Sequence, residues 1–182
     1  MRPIYIYGSP VLRQVAQDIT PEYPNLPELI KEMQQAMAGS DGVGLAAPQI
    51  GLSIRLFVVD ATPFADKEPQ LVDFRRVFIN PNITDRFGSD THFTEGCLSI
   101  PSIHEDVVRP SSIRMQWVDE NFTPHQEEFS GMAARIIQHE YDHLEGILFI
   151  DHLSPLRKRM LQSKLKNMQR GRYKADYPCR LG

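Results

Sequence analysis

The chain has 182 residues, 41% of them hydrophobic and 24% charged, and a formal net charge of -3. That length fits one domain with a core of its own, and the mild acidity argues against nucleic acid or a membrane as the main partner of the whole surface. Two cysteines, Cys97 and Cys179, make no disulfide framework, so a reducing cytosol is the expected home. Met1 to Arg13 holds no apolar run long enough for a signal peptide, and nothing approaches the ~20 apolar residues of a membrane span. The expectation is a soluble, cytoplasmic protein.

In chain order, residues 1–25 are rich in proline (Pro3, Pro10, Pro21, Pro24). A helical turn is expected over Pro10–Ala16, in a segment that wraps over a core. Leu29, Ile30, Met33 and Met37 recur with helical period, predicting a helix over Leu26–Met37 that stops at Gly39. Asp41 to Gly51 is a glycine-rich loop of small residues. It lacks the Gly-x-Gly-x-x-Gly and Lys-Ser/Thr features of phosphate-binding loops, so its small residues suit close backbone approach instead. Gln49 stands there as a lone polar side chain, either functional or exposed on a capped turn.

Ile54–Asp60 reads as a strand, Ala61–Phe74 as a polar surface loop, and Arg76–Asn80 as a second strand closed by Asn80-Pro81. Asn82–Thr94 is expected to form a hairpin turning near Gly88-Ser89. The loop Thr94–Pro101 holds Cys97. Val107-Val108, Ile113–Val118 and His125–Phe129 supply further short strands, with a turn at Asp119-Glu120-Asn121. Met132, Ile136, Ile137 and Leu144 then mark a helix over Gly131–Glu145, with Ser130 as N-cap and Gly146 as its stop. Leu148–His152 follows. Ser154-Pro155 opens a last helix reaching Tyr173. Strands followed by helices, with one helix near the start, argue for an α+β fold. We expect a single domain over residues 1–182, with short antiparallel strands packed around the central helix and a helix at either end.

The central helix carries His139-Glu140-Tyr141-Asp142-His143. Residues four apart share a helix face, so the two imidazoles can converge on one ion while Glu140 reaches a water beside it. Two neutral imidazoles suit zinc or iron(II), and a catalytic site keeps one position open. A third ligand is needed. The extended metalloprotease pattern places a histidine where this chain has Phe149. Glu145 points elsewhere on the helix, and Cys179 lies in a polar tail expected to be mobile. Cys97, in an apolar loop, is the better candidate. Between His152 and Ala175 stand eight basic residues and no acidic one, which suits either a solvated helix face or a docking helix for an anionic surface such as ribosomal RNA.

Gly44-Leu45-Ala46-Ala47-Pro48-Gln49, Glu95-Gly96-Cys97-Leu98-Ser99 and Gln138-His139-Glu140-Tyr141-Asp142-His143 resemble, in order, the three motifs of the peptide deformylases. The resemblance spans residues 42–146, and the helix at Ser154 is similar to the C-terminal helix of the bacterial type. It implies removal of the formyl group from N-formylmethionine on nascent chains. It also implies one divalent metal, iron(II) natively and replaceable by zinc, nickel or cobalt. By resemblance Cys97, His139 and His143 are ligands, Glu140 is the acid/base, and Gln49 with the Leu98 backbone N–H holds the oxyanion. The family's preference for methionine implies an apolar pocket, for which Val43, Met132 and Ile136 are candidates, with Gly44 on the substrate loop. Glu95 and Arg109 are expected to pair and fix the metal loop. His104 departs from the arginine that some members carry. A metallopeptidase, or a non-catalytic metal-stabilised domain bound to the ribosome, are the competing readings; Glu140 speaks against the second.

Overall fold

The computed structural model describes residues 2–182. Ten elements follow one another: β1 (Ile4–Tyr5), α1 (Leu26–Ala38), β2 (Gly44–Ala46), β3 (Leu56–Asp60), β4 (Arg75–Cys97), β5 (Ile100–Val118), β6 (Pro124–Ser130), α2 (Gly131–Leu144), α3 (Pro155–Gln169) and β7 (Cys179–Arg180). Strands β2 to β6 form one antiparallel sheet in sequence order, and β1 pairs with β7 in parallel.

The period of two in β3 explains the layering. Leu56 and Val58 face α1, joining Leu29, Ile30 and Met33 in one cluster. Phe57 and Val59 face α2, joining Ala134, Ile137 and Leu144 in another. The sheet is therefore covered on both sides here, which is why β3 reads as an unbroken apolar run. An aromatic group packs the α2 side: Phe78 lies 5.0 Å from Phe57 and 5.1 Å from Trp117, centroid to centroid. Such pairs add about 0.5–1.5 kcal/mol each beyond area burial. A third cluster joins Ile100, Ile103 and Val107 of β5 to Leu161, Leu165 and Met168 of α3.

The α+β class and the three helices agree with the sequence reading, but β4 and β5 are far longer than expected, at 23 and 19 residues. No hairpin turns at Gly88-Ser89. Gly88, at φ +81°, sits where the β4–β5 register slips between Phe87 and Asp90. A glycine within a strand marks a bulge as readily as a turn. Pro81 likewise falls in a register slip between Ile79 and Asn82, where no ladder N–H is demanded of it. The real hairpin reverses at Leu98-Ser99, between the paired Cys97 and Ile100, so the cysteine loop is the tip of the longest hairpin.

Three further expectations change. Asp41–Gly51 contains β2 and a 3-10 turn over Ala47–Ile50. The Ala61–Phe74 segment is not wholly surface, since Leu71 and Phe74 enter the core. Cys179 is not in a mobile tail: it pairs with Ile4, and Ile4 N donates to Pro178 O at 2.8 Å.

Candidate active site

Three pieces of chain meet at the floor of one cleft. Helix α2 presents His139 and His143 one turn apart, with ring centroids separated by 5.3 Å. The β4–β5 tip presents Cys97, whose Sγ lies 3.3 Å from His143 Nε2. Cys97, His139 and His143 each offer one ligand atom, all within 4.8 Å of one another. Beneath β2, the 3-10 turn buries Gln49, whose Oε1 accepts from Ala46 N at 2.9 Å. That bond aims Nε2 at Cys97 Sγ (3.5 Å) and Ser99 Oγ (3.2 Å). Gln49 is thus no exposed turn residue. Its fixed amide points donors at the Cys97 turn.

Gly44 explains its own small size. A Cβ there would stand 2.4 Å from Glu140 Oε1, so only glycine lets β2 cross over that carboxylate. Glu140 Oε2 is buried without a protein partner. Burial pushes the Glu140 carboxyl up to about 7, with Glu95 reinforcing and His139 opposing. An acid/base group works best near the ambient pH.

Behind the histidines lies a buried ion network. Glu95 accepts from Arg109 Nε at 2.7 Å and from Arg135 Nη1 at 2.8 Å, and it lies 2.8 Å from His139 Nδ1. The expected Glu95–Arg109 pair is present. Asp142 receives Arg109 Nη1 at 2.8 Å and sits 2.7 Å from His152 Nε2. Burial opposes the ionisation of Glu95, yet hydrogen bonds from His139 and Arg109 hold its carboxyl well below the usual range. Anchoring Nδ1 of His139 turns its other ring nitrogen toward the cysteine. Phe149 stacks on the same ring, 6.0 Å between centroids. Burial holds His143 down to about 3, hence neutral, the form that ligates. A thiol and two imidazoles at the floor of a cleft, braced from behind, fit a borderline-soft divalent ion such as zinc or iron(II).

Above the floor opens a cleft of about 470 Å³. Val43, Phe64, Met132 and Ile136 line its apolar side, and Leu98 and His104 lie along it. The expected pocket residues Val43, Gly44, Met132 and Ile136 therefore all face one cavity.

The polypeptide deformylase family model matches residues 1–159. The chain belongs to the peptide deformylase family. The peptide deformylase of Christiangramia forsetii is 51% identical over 98% of this chain and 94% of that protein. The one from Flavobacterium johnsoniae is 50% identical over 96% and 93%. Among solved structures, the peptide deformylase of Thermus thermophilus superposes with a TM-score of 0.84 at 38% identity, covering 95% of this chain and all (100%) of that one. That of Plasmodium falciparum gives 0.82 at 36%, covering 92% and 95%. The chain is accordingly a metal-dependent hydrolase that removes the N-formyl group from nascent peptides. No helix among the described residues is long and apolar enough to cross a membrane.

The structure also brings in residues the sequence did not single out. Arg135, Asp142 and His152 complete the ion network. Glu68 caps α2 by accepting from Met132 N at 3.0 Å, in place of the expected Ser130 side chain. Ser130 offered a nearby acceptor in the sequence, so nothing there pointed to a cap from Glu68. Tyr177 Oη donates to Leu98 O at 2.8 Å.

Proposed function

We propose that Cys97, His139 and His143 hold one divalent metal, iron(II) natively, and that Glu140, Gln49 and Leu98 carry the deformylation chemistry. The convergence of those three ligand atoms beside an unpartnered, buried Glu140 oxygen is the observation that carries this reading. When bound, such a metal lowers the pKa of water toward ~7 and polarises a carbonyl. Glu140 takes the proton from the attacking water at its free Oε2 and returns it to the leaving amine nitrogen. Gln49 Nε2 and the Leu98 N–H donate to the oxygen that gains charge as the formyl carbon becomes tetrahedral; one fixed donor is worth about 3–4 kcal/mol in such a hole. A neutral amide stabilises that charge without gripping the formate product as a cation would. Val43, Met132 and Ile136 receive the methionine side chain, and Gly44 leaves room for backbone beside Glu140.

Formate release from formyl-Met-Ala-Ser by metal-replete protein tests this, next to Glu140→Ala. A loss of at least about 100-fold is expected in the variant, and equal rates would remove Glu140 from its role. Cys97→Ser should lose most bound metal while Cys179→Ser keeps it; full occupancy in the first would exclude Cys97. We further place the protein in the cytoplasm, on the ribosome, with α3 as the docking element. The exposed Lys164, Lys166 and Arg170 along and just after that helix, and the absence of acids there, support that reading.

A further inference from the structure

The Leu98-Ser99 turn is gripped from two sides by segments remote in sequence. Ser99 O accepts from Tyr7 N at 2.8 Å, just after β1. Leu98 O accepts from Tyr177 Oη at 2.8 Å, just before β7. These two segments are themselves joined: Ile4 N donates to Pro178 O at 2.8 Å, Ile6 N donates to Arg180 O at 2.9 Å, and Gly182 N donates to Ser9 Oγ at 3.0 Å. The result is a closed strap over the tip of the β4–β5 hairpin. Lys174 to Tyr177 also wall the cleft, and this stretch lies beyond the segment the family model matches.

We infer that Tyr177 is a positioning residue for deformylation, fixing through the Leu98 carbonyl the turn that carries Cys97 and the Leu98 N–H. The inference rests on the oxyanion role proposed for that N–H. A hairpin tip has no strand neighbour to hold its carbonyls, so without an outside donor it librates, and misplacement by about 1 Å can cost as much as 100-fold in rate. Tyr177, from the C-terminal segment, anchors Leu98, and Tyr7, from the N-terminal segment, anchors Ser99. Gln49 approaches from below through Ser99 Oγ.

Tyr177→Phe keeps the packed ring and deletes only the donor. We expect kcat for formyl-Met-Ala-Ser to fall about fivefold to tenfold with KM within about twofold. Metal content should be unchanged, and amide exchange at Leu98 and Ser99 should be faster by NMR. Unchanged kcat, a KM rise at constant kcat, or metal loss in proportion to activity would each overturn the inference. Wild-type protein without formate release would defeat the deformylase reading itself. The exchange measurement needs no turnover, so unchanged exchange in Tyr177→Phe overturns the strap independently of that result.

Discussion

Helices α2 and α3 are of nearly equal length, 14 and 15 residues, but eleven residues of α2 are buried against three of α3. Helix α2 carries ionisable groups into the interior, and they are tolerated there because other elements place partners for them: Glu95 from β4, Arg109 from β5, His152 beyond the helix end. Helix α3 keeps most of its cations in water, although Arg157 at its start pairs with Glu105 of β5 at 2.7 Å, and it buries only Leu161, Leu165 and Met168. A change in α2's surroundings therefore reaches the chemistry, whereas most changes on α3's outer face should not.

Arg109→Met is the severest test of that contrast. It leaves Glu95 and Asp142 buried without the cation they share. Breaking one partner of a buried pair costs about 3–5 kcal/mol, to be read from urea denaturation of metal-free protein. A loss below about 1 kcal/mol would mean that the network is no firmer than a surface pair.

Gly44→Ala comes next. The added methyl meets Glu140 Oε1 at 2.4 Å and Cδ at 2.7 Å, so either the carboxylate or β2 moves. We expect kcat to fall about 100-fold, the cost of roughly 1 Å of misplacement, with folding largely retained. Wild-type kcat would show that Glu140 works equally well from a displaced position.

On and just after α3, the triple variant Lys164→Glu, Lys166→Glu, Arg170→Glu should behave oppositely. These side chains are exposed, and surface changes of this kind stay within about 0.5 kcal/mol each. Formate release from a short peptide should be unaffected, while co-sedimentation with ribosomes should weaken and lose much of its salt dependence. Equal co-sedimentation would make the basic face a solvated surface only.

The same contrast governs what could be read in advance. The His139–His143 pair, helix α1 and strand β3 declare themselves through short-range periodicity, and so does the Cys97 loop once a third ligand is demanded. Glu95 and Arg109 are legible because they lie in or near that loop. What escaped were choices made by distant chain. Gly88 suits a turn and a bulge equally, and only the partner strand β5 decides between them. The two-residue strand β7 has no pattern of its own; its order comes from Ile4 and Tyr5. Asp142 and His152 carry no signal separating a solvated pair from members of a buried network. Glu68, in a segment that reads as surface loop, gives no hint that it caps α2 from 64 residues away.

The segment between the two helices offers the mildest test. Arg13 grips Asp151 at 2.5 Å, and Leu148 N donates to the same carboxylate at 2.8 Å, tying the 3-10 turn Phe149–His152 to the N-terminal segment. Burial pushes the Asp151 carboxyl up, but the hydrogen bonds from Arg13 and Leu148 outweigh it and leave its pKa below the ordinary 3.8. A depressed carboxyl stabilises the fold at pH above its unfolded value and loses that contribution as pH falls through the folded one. The pair is more than a third exposed, so solvent screening limits it to at most about 1 kcal/mol. Asp151→Asn should therefore lower stability slightly at pH 7, with the gap to wild type closing as the pH falls through the depressed folded pKa of Asp151 and both side chains become neutral. An asparagine oxygen can still accept from the Leu148 N–H, so the variant removes the charge and little else. A gap that persists undiminished in acid would trace the loss to disturbed packing around residue 151 and take the charge of Asp151 out of the account.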